Sequence, residues 1–428
     1  MKASRRLFYL TPLGALLAAG SVYATNGYFP HGNGIKAKGM GGASVAMTDD
    51  AYAGYTNPAA AVWEGGSRAE VGLEFFSPSR SMSRSGSMAG LDASVDSGST
   101  LFLVPEFGYN QKINDKVSAG VTVYGNGGMN TDYPTGQINC GHGPANVLCG
   151  SGNLGVDLQQ LIIAPTIAYK INESNSIGLA PLFVFQQFKA YGLQAFSPMS
   201  SDPSKLTSGN YDQSKGIGVR LGYLGKIGDK FNFGAAYSPK ISMSKFSDYA
   251  GLFADGGNFD IPANYTLGVS FKATPAVTVA VDYARSNSSG VSSIGNPSTN
   301  QAPLGAATGP GFGWTDVNVW KFGVQWQASP LWALRAGFNV GDNPVQSRDV
   351  SFNILAPGVI TRHYTMGASY ALSPKTELSF AYMYAPSNSV TGASLFNSPN
   401  VIPPGGMGGT ETIKMSEQSL GIEFGWRW

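Results

Sequence analysis

Charge is what this sequence has least of. Only 13% of its 428 residues are Asp, Glu, Lys or Arg, where ordinary globular chains carry about 25%. The net charge is +2, so there is no basic footprint for a nucleic-acid partner. Cysteine is limited to Cys140 and Cys149, and histidine to His31, His142 and His363. Two thiols and one nearby ring, His142, make a poor metal set, and no zinc spacing, phosphate loop or flavin fingerprint occurs. Neither metal nor cofactor is expected. An enzyme is not expected either: a lipid-interface Ser–His pair would face outward, whereas His363 alternates with Tyr364 and Met366 and reads as inward. Long apolar runs are missing too. The one of note, Leu7 to Ala19, is broken by Thr11 and Pro12 and falls short of the ~20 residues a membrane helix requires.

That short run follows Lys2, Arg5 and Arg6, and Val22 and Ala24 occupy the small-residue positions of an export cleavage site. Residues 1–24 therefore read as a signal peptide, leaving an exported chain without a transmembrane helix. In an exported protein, Cys140 and Cys149 read as a disulfide closing their polar loop. What the chain does have is 57 glycines and 12% aromatic residues, a composition suited to a wall that faces lipid.

From Ser67 onward the sequence falls into fourteen alternating segments of about ten residues, the length a tilted membrane strand needs. They run from Arg68–Ser77 through Val117–Gly125, Phe231–Phe246 and Thr376–Ala385 to Thr412–Trp428. Six short turns, such as Asn114-Asp115-Lys116 and Ser373-Pro374-Lys375, take turns with seven long polar loops, among them 78–99, 126–155 and 386–411. Tight periplasmic turns and long external loops produce this rhythm. A soluble β-sandwich also has many short strands. However, faces such as Trp320, Phe322, Val324 and Trp326 want lipid or a very large core. The expected fold is all-β: a fourteen-stranded antiparallel transmembrane β-barrel over 67–428, its lumen plugged by a hatch at 25–66. Lys36 to Ala61, KAKGMGGASVAMTDDAYAGYTNPAAA, is too small and glycine-rich to fold alone, so the barrel must surround it.

The aromatic C-terminal residue Trp428 is a common end for an outer-membrane barrel, and the stretch GMGGASVAMTDDAYAGYTNPAA, the opening TNGYFPHG and the architecture together resemble the FadL/TodX family of outer-membrane transporters of hydrophobic compounds. The resemblance covers the whole chain in architecture and is specific at 34–61. It implies uptake by passive, lateral diffusion. External loops capture an apolar molecule, which passes to a pocket above the hatch. It then leaves through a gap where the third strand kinks inward, near Asn57-Pro58-Ala59. The matching glycines here are Tyr124-Gly125-Asn126-Gly127-Gly128, which read equally as the start of an external loop. A bulky residue at Gly125 or Asn57 is expected to abolish uptake and leave the barrel folded.

A fatty-acid pocket needs a cation in an apolar lumen. By parity Arg220, Lys240, Lys321 and Arg335 point inward, with Asp282, Glu377, Glu423 and Arg427 as partners. Arg220, Lys321 and Arg335 are candidates for a carboxylate, or members of charged wall ladders. Phe29, Met40, Met47, Met129, Tyr52 and Tyr55 are candidates for apolar contact, or packing between hatch and wall. The expected substrate is a long-chain fatty acid, with aromatic or alkane hydrocarbons as the alternative. A non-transporting display barrel (adhesin or phage receptor) is the rival class, and a plugged lumen argues against a small-solute porin. The expected location is the outer membrane of a Gram-negative bacterium, as a monomer, with membrane lipid, lipopolysaccharide and the barrel-assembly machinery as partners.

Overall fold

The computed structural model describes residues 26–88, 90–141, 143–398 and 408–428. The segment 1–24 read as a signal peptide and His142 lie outside them. Among the described residues, fourteen long strands pair antiparallel in chain order, and the last bonds to the first to close a barrel. They are β1 (Arg68–Ser85), β2 (Phe102–Lys112), β3 (Val117–Tyr133), β4 (Leu154–Asn172), β5 (Asn175–Tyr191), β6 (Asp212–Ile227) and β7 (Phe231–Ser238). The second half comprises β8 (Asn264–Thr274), β9 (Val277–Ser286), β10 (Val317–Gln327), β11 (Trp332–Gly341), β12 (Arg362–Ser373), β13 (Thr376–Ala393) and β14 (Thr410–Arg427). Closure pairs each strand with two neighbours, as a lipid environment demands of β-structure, apart from a local interruption at β3.

Period-two alternation sets the two faces of the wall. In β10, Trp320, Phe322, Val324 and Trp326 stand outward and exposed, while Val319 and Lys321 are buried inside. Leu420, Ile422 and Trp426 of β14 repeat the pattern around the buried Glu423. An apolar belt this continuous would be an aggregation surface in water and is what the bilayer covers.

Several strands outrun their expected ends. β1 reaches Ser85 and absorbs the start of the loop anticipated at 78–99, and β13 and β14 stay paired out to Ala393 and Thr410, across a register shift between Ala385 and Asn388. The outer face of these extensions carries Ser, Thr and Lys, so the apolar alternation that marks a lipid-spanning strand is missing there. β3 runs through its glycines to Tyr133 instead of ending at Gly125. β7 is shorter than expected and stops at Ser238, because Pro239 has no N–H to continue the ladder.

The N-terminal segment lies within the barrel. It bonds strands around the whole circumference: Ile35 N–H donates to Glu423 of β14, Gly41 N–H to Thr365 of β12, Gly54 N–H to Thr122 of β3, and Asn232 of β7 donates to the Ala46 carbonyl. The wall is carved by glycine where this backbone comes close. A Cβ at Gly337 would stand 2.0 Å from Gly41 N, and one at Gly234 would stand 2.1 Å from the Val45 carbonyl oxygen. That close fit accounts for part of the high glycine content.

Candidate functional site

Wall carboxylates hold the N-terminal segment in place. Its single helical turn, Ile35–Lys38, carries two buried lysines. Lys38 Nζ lies 2.7 Å from Glu74 and 3.0 Å from Glu106, and Lys36 Nζ lies 2.6 Å from Glu70 and also pairs with Glu377. Backbone N–H groups add to this: Gly34 donates to Glu106, Ala51 to Glu70, and Ser44 and Val45 both donate to Asp282 at 2.7 and 2.9 Å. The wall acids Asp282, Glu377 and Glu423 were expected to pair with wall cations. Asp282 and Glu423 instead receive this segment's backbone, and Glu377 is shared among Lys36, Arg68 and Arg427. Lys36 and Lys38 were not anticipated, because the segment has no periodicity from which to read an orientation.

Asn57 caps the turn Pro58–Trp63 by accepting from Ala59 N–H, and its amide donates to the carbonyls of Val45 and Tyr223, both at 2.9 Å. Asn57-Pro58-Ala59 is seated on Gly178 of β5 and Gly222 of β6, where a Cβ would come within 2.3 Å of it. The segment also bonds β3 a few residues earlier, where Gly54 N–H donates to Thr122.

The wall itself is interrupted at β3. β2 and β3 pair only over Phe107–Lys112 and Ser118–Val123. Above that point β2 still pairs with β1, whereas β3 from Tyr124 onward pairs with β4 alone. A register shift between Gly125 and Gly128 marks a bulge, which bends the strand. Bridging resumes higher up, where Gly98 N–H donates to the Asp132 carbonyl at 2.8 Å. Among the described residues, a stretch of β3 that contains Gly125, Asn126 and Gly127 therefore lacks a paired strand on its β2 side. The Tyr28 carbonyl lies beside Gly127, so close that a Cβ there would stand 2.5 Å from it. Asn126 donates to Gln160, which also bonds the Tyr28 hydroxyl and Gln186.

A cavity of about 60 Å³ adjoins this bulge, lined by Phe29, Tyr55, Asn126, Arg220, Asp282 and Lys321 among others. Arg220 donates to Ser238 and Asn264, both at 3.2 Å, its guanidinium lies over the Tyr55 ring, and its Nε has no partner among the described residues. Lys321 donates to the His31 carbonyl at 2.9 Å. Both cations are at most 8% exposed, and neither forms an ion pair among the described residues. The one buried acid in the lining, Asp282, is engaged by the Ser44 and Val45 N–H groups. His31, buried beside Lys38 and Lys321, is held neutral: burial and those two charges push its imidazole down to about 3. It stacks on His363, which lies inward as its parity indicated.

An aromatic run leads up from this cavity. Phe29 meets Tyr28 at 5.1 Å between ring centres, Tyr28 meets Phe259 at 6.4 Å, Phe259 meets Phe253 at 4.7 Å, and Phe253 meets Phe188 at 4.6 Å. Phe188 and Phe253 line a second, almost wholly apolar cavity of about 40 Å³ under the outer loops, with Val156, Leu304 and Phe312. Phe29, Arg220 and Lys321 are thus brought together with Asn126. Other candidates are set apart. Arg335 has the same inward parity but another position along its strand, where it donates to Gln325 and Ser369, both at 2.7 Å. Met40 and Met47 pack with Ala43 and Ala280 against the wall. Lys240 is half exposed beyond the end of β7. Cys140 and Cys149 are joined by a disulfide, Cα to Cα 5.7 Å, in an outer loop packed near Leu91 and Phe396.

A closed barrel with a lipid-facing aromatic exterior, and a lumen occupied by its own N-terminal segment, defines an outer-membrane transport barrel. The chain belongs to the outer membrane protein transport protein family (OMPP1/FadL/TodX), whose family model matches residues 31–402. No curated protein sequence matches it. Among solved structures it resembles the P. putida toluene transporter TodX, with a TM-score of 0.67 and 16% identity over 93% of this chain and 99% of that one. A Pseudomonas aeruginosa FadL homologue gives 0.69 and 13% over 94% and 99%, and the Ralstonia pickettii toluene transporter TbuX gives 0.63 and 19% over 93% and 99%. At these identities the likeness is one of fold. Family and fold together make this a Gram-negative outer-membrane transporter of hydrophobic compounds.

Proposed function

We propose that the protein takes up long-chain fatty acids by passive diffusion and releases them sideways, through the interrupted wall between β2 and β3. In this reading residues 1–24 are an export signal and 25–66 form a hatch that keeps the lumen closed to water. The observation that carries it is the pair Arg220 and Lys321: two buried cations that form no ion pair among the described residues, facing one cavity beside the bulge. Asp282, across the ladder from Lys321, is already bonded to the Ser44 and Val45 N–H groups. An unpaired buried charge is costly unless a counter-charge arrives, and a fatty-acid carboxylate supplies one. The cavity holds a head group and no more, so the alkyl chain would lie along the aromatic run toward Phe253 and Phe188. Exit into the bilayer keeps the apolar chain out of periplasmic water. The chain acts as a monomer, inserted by the barrel-assembly machinery among lipid and lipopolysaccharide.

Monoaromatic hydrocarbons are the second reading. It is favoured by the aromatic run and by the two toluene transporters among the similar structures. Uptake of labelled oleate, hexadecane and toluene, in cells lacking their own fatty-acid channel, separates the two. Saturable oleate uptake that is lost in Arg220→Gln and Lys321→Gln but kept in Arg335→Gln is the expected result. Toluene uptake without oleate uptake moves the protein to the hydrocarbon reading. No uptake by a correctly inserted barrel would leave a surface-display role.

A further inference from the structure

Between the outer loops lies a pocket of about 540 Å³, far wider than the apolar cavity of about 40 Å³ beneath those loops. Met199, Ala302 and Leu395 give the outer pocket apolar surface. Phe352 is the one described residue that lines both the pocket and the cavity.

Phe352 stands on a single helical turn, Val350–Asn353, in the loop between β11 and β12. Its neighbours are fully buried and bonded. Asp349 accepts from the N–H and the hydroxyl of Ser298, both at 2.8 Å. Asn353 accepts from the Trp314 indole N–H at 2.6 Å and donates to the Phe312 and Asp349 carbonyls at 2.7 and 2.8 Å. The Ser351 hydroxyl donates to Glu411 and accepts from the Leu395 N–H at 2.8 Å. Glu411 in turn pairs with Arg84 at 2.7 Å, both side chains shut off from solvent, and Arg84 donates to the Val147 carbonyl at 2.7 Å. One satisfied polar network therefore ties this turn to the disulfide-closed loop, and such networks fix geometry.

The ring itself is held differently. Phe352 is only half-buried, and among the described residues its one ring contact is an edge-on meeting with Phe196 at 5.9 Å. The backbone is pinned on both sides, while the side chain can change rotamer without breaking a main-chain hydrogen bond.

We propose that Phe352 is a specificity-determining residue at the outer entrance. Its ring divides the outer pocket from the apolar cavity, and by turning aside it opens a passage about one ring wide. A methylene chain fits that opening and a fused ring system does not. The choice of an alkyl substrate rests on the fatty-acid reading above; the passage does not.

The test reads the passage chemically, in intact cells that display the full-length protein. Val156 of β4 lines the apolar cavity at 1% exposure, and Met199 lines the outer pocket. Val156→Cys and Met199→Cys are labelled from outside with slender maleimidohexanoate and with bulky fluorescein maleimide. Cys140 and Cys149, joined as a disulfide, offer no thiol to either reagent. Val156→Cys should take the slender reagent alone, and Met199→Cys both. Adding Phe352→Ala should admit the bulky reagent to Val156→Cys and speed the slender one roughly five- to tenfold, the factor that loss of one aromatic contact supplies. Phe352→Trp should slow the slender reagent by a similar factor, and Phe352→Met, close in volume, should keep wild-type selection. Heat-modifiable gel migration reports whether each variant folds.

Unchanged labelling of Val156→Cys in the Ala and Trp variants would overturn the proposal. So would equal acceleration at Met199→Cys, which would mean that the loops had merely loosened. Oleate uptake by the same Phe352 variants separates the two readings. If wild type takes up no oleate but labelling follows the ring, the fatty-acid substrate falls and the entrance stands. If oleate enters and labelling ignores the ring, the entrance alone is refuted.

Discussion

Lys38 meets Glu74 and Glu106 inside a lumen where all three are nearly free of solvent. Removing one partner of a buried pair typically costs about 3–5 kcal/mol, because the other charge is left uncompensated. Glu106→Gln leaves Lys38 one carboxylate and gives Gly34 N–H a weaker acceptor, so roughly the lower end of that range is expected. It should appear as cleavage of residues 26–66 by added protease at lower denaturant, with the barrel's own gel migration unchanged. Equal protease resistance in wild type and variant would mean that the salt bridges do not hold the segment. Asp50 gives the same seat a pH dependence. Burial, then Glu70 and Asp49, push its carboxyl up to about 7, above the ~3.9 of an unfolded chain. The folded form then binds the proton more tightly, so stability is greatest at low pH and falls as pH rises through about 7. Protease resistance of the segment should therefore be higher at pH 5 than at pH 8, and Asp50→Asn should flatten that difference.

At the scale of the element, β3 decides whether lateral release operates. Gly127→Val drives a side chain into the Tyr28 carbonyl, where even a Cβ would stand 2.5 Å away. Backbone cannot yield there as a flexible side chain could, so either the bulge or the entry of the N-terminal segment must shift. Uptake should fall to background while the barrel still assembles. Normal uptake with normal folding would remove the bulge from the route. This strand also shows what the sequence could reveal. Its glycines read equally as a kink or as the start of a loop, because a strand that leaves its neighbour loses the alternation that identifies it. Fourteen strands were legible because lipid imposes period two on every spanning segment. The extensions of β1 and β13 were not, because beyond the bilayer the outer face turns polar. Parity placed Arg220, Lys321 and Arg335 alike on the inner face. It says nothing of height along the strand, and height is what separates Arg335 from the cavity.

At the scale of the whole molecule, the question is what remains when the N-terminal segment is removed. Deleting 26–62 strips Glu70, Glu74, Glu106, Asp282 and Glu423 of their lysine and backbone partners at once. In a dry core that many orphaned carboxylates would unfold the protein. Here the emptied lumen fills with water, which solvates the acids, and the strand-to-strand ladder from β1 to β14 does not involve the deleted residues. The deleted form should therefore assemble, with loss of only the stabilisation the segment contributed. A barrel of fourteen strands without its filling has a water channel. Planar-bilayer recordings should then show a large steady conductance in place of a nearly closed trace, and cells should become sensitive to antibiotics normally held out by the outer membrane. Oleate uptake should lose saturation at the same time, since His31, whose carbonyl accepts from Lys321, and Phe29, which lines the cationic cavity, leave with the segment. If conductance rises while uptake stays saturable, substrate does not pass through the cavity at all. If an assembled deletion form conducts no better than wild type, the loops alone close the barrel and the segment has no role as a hatch.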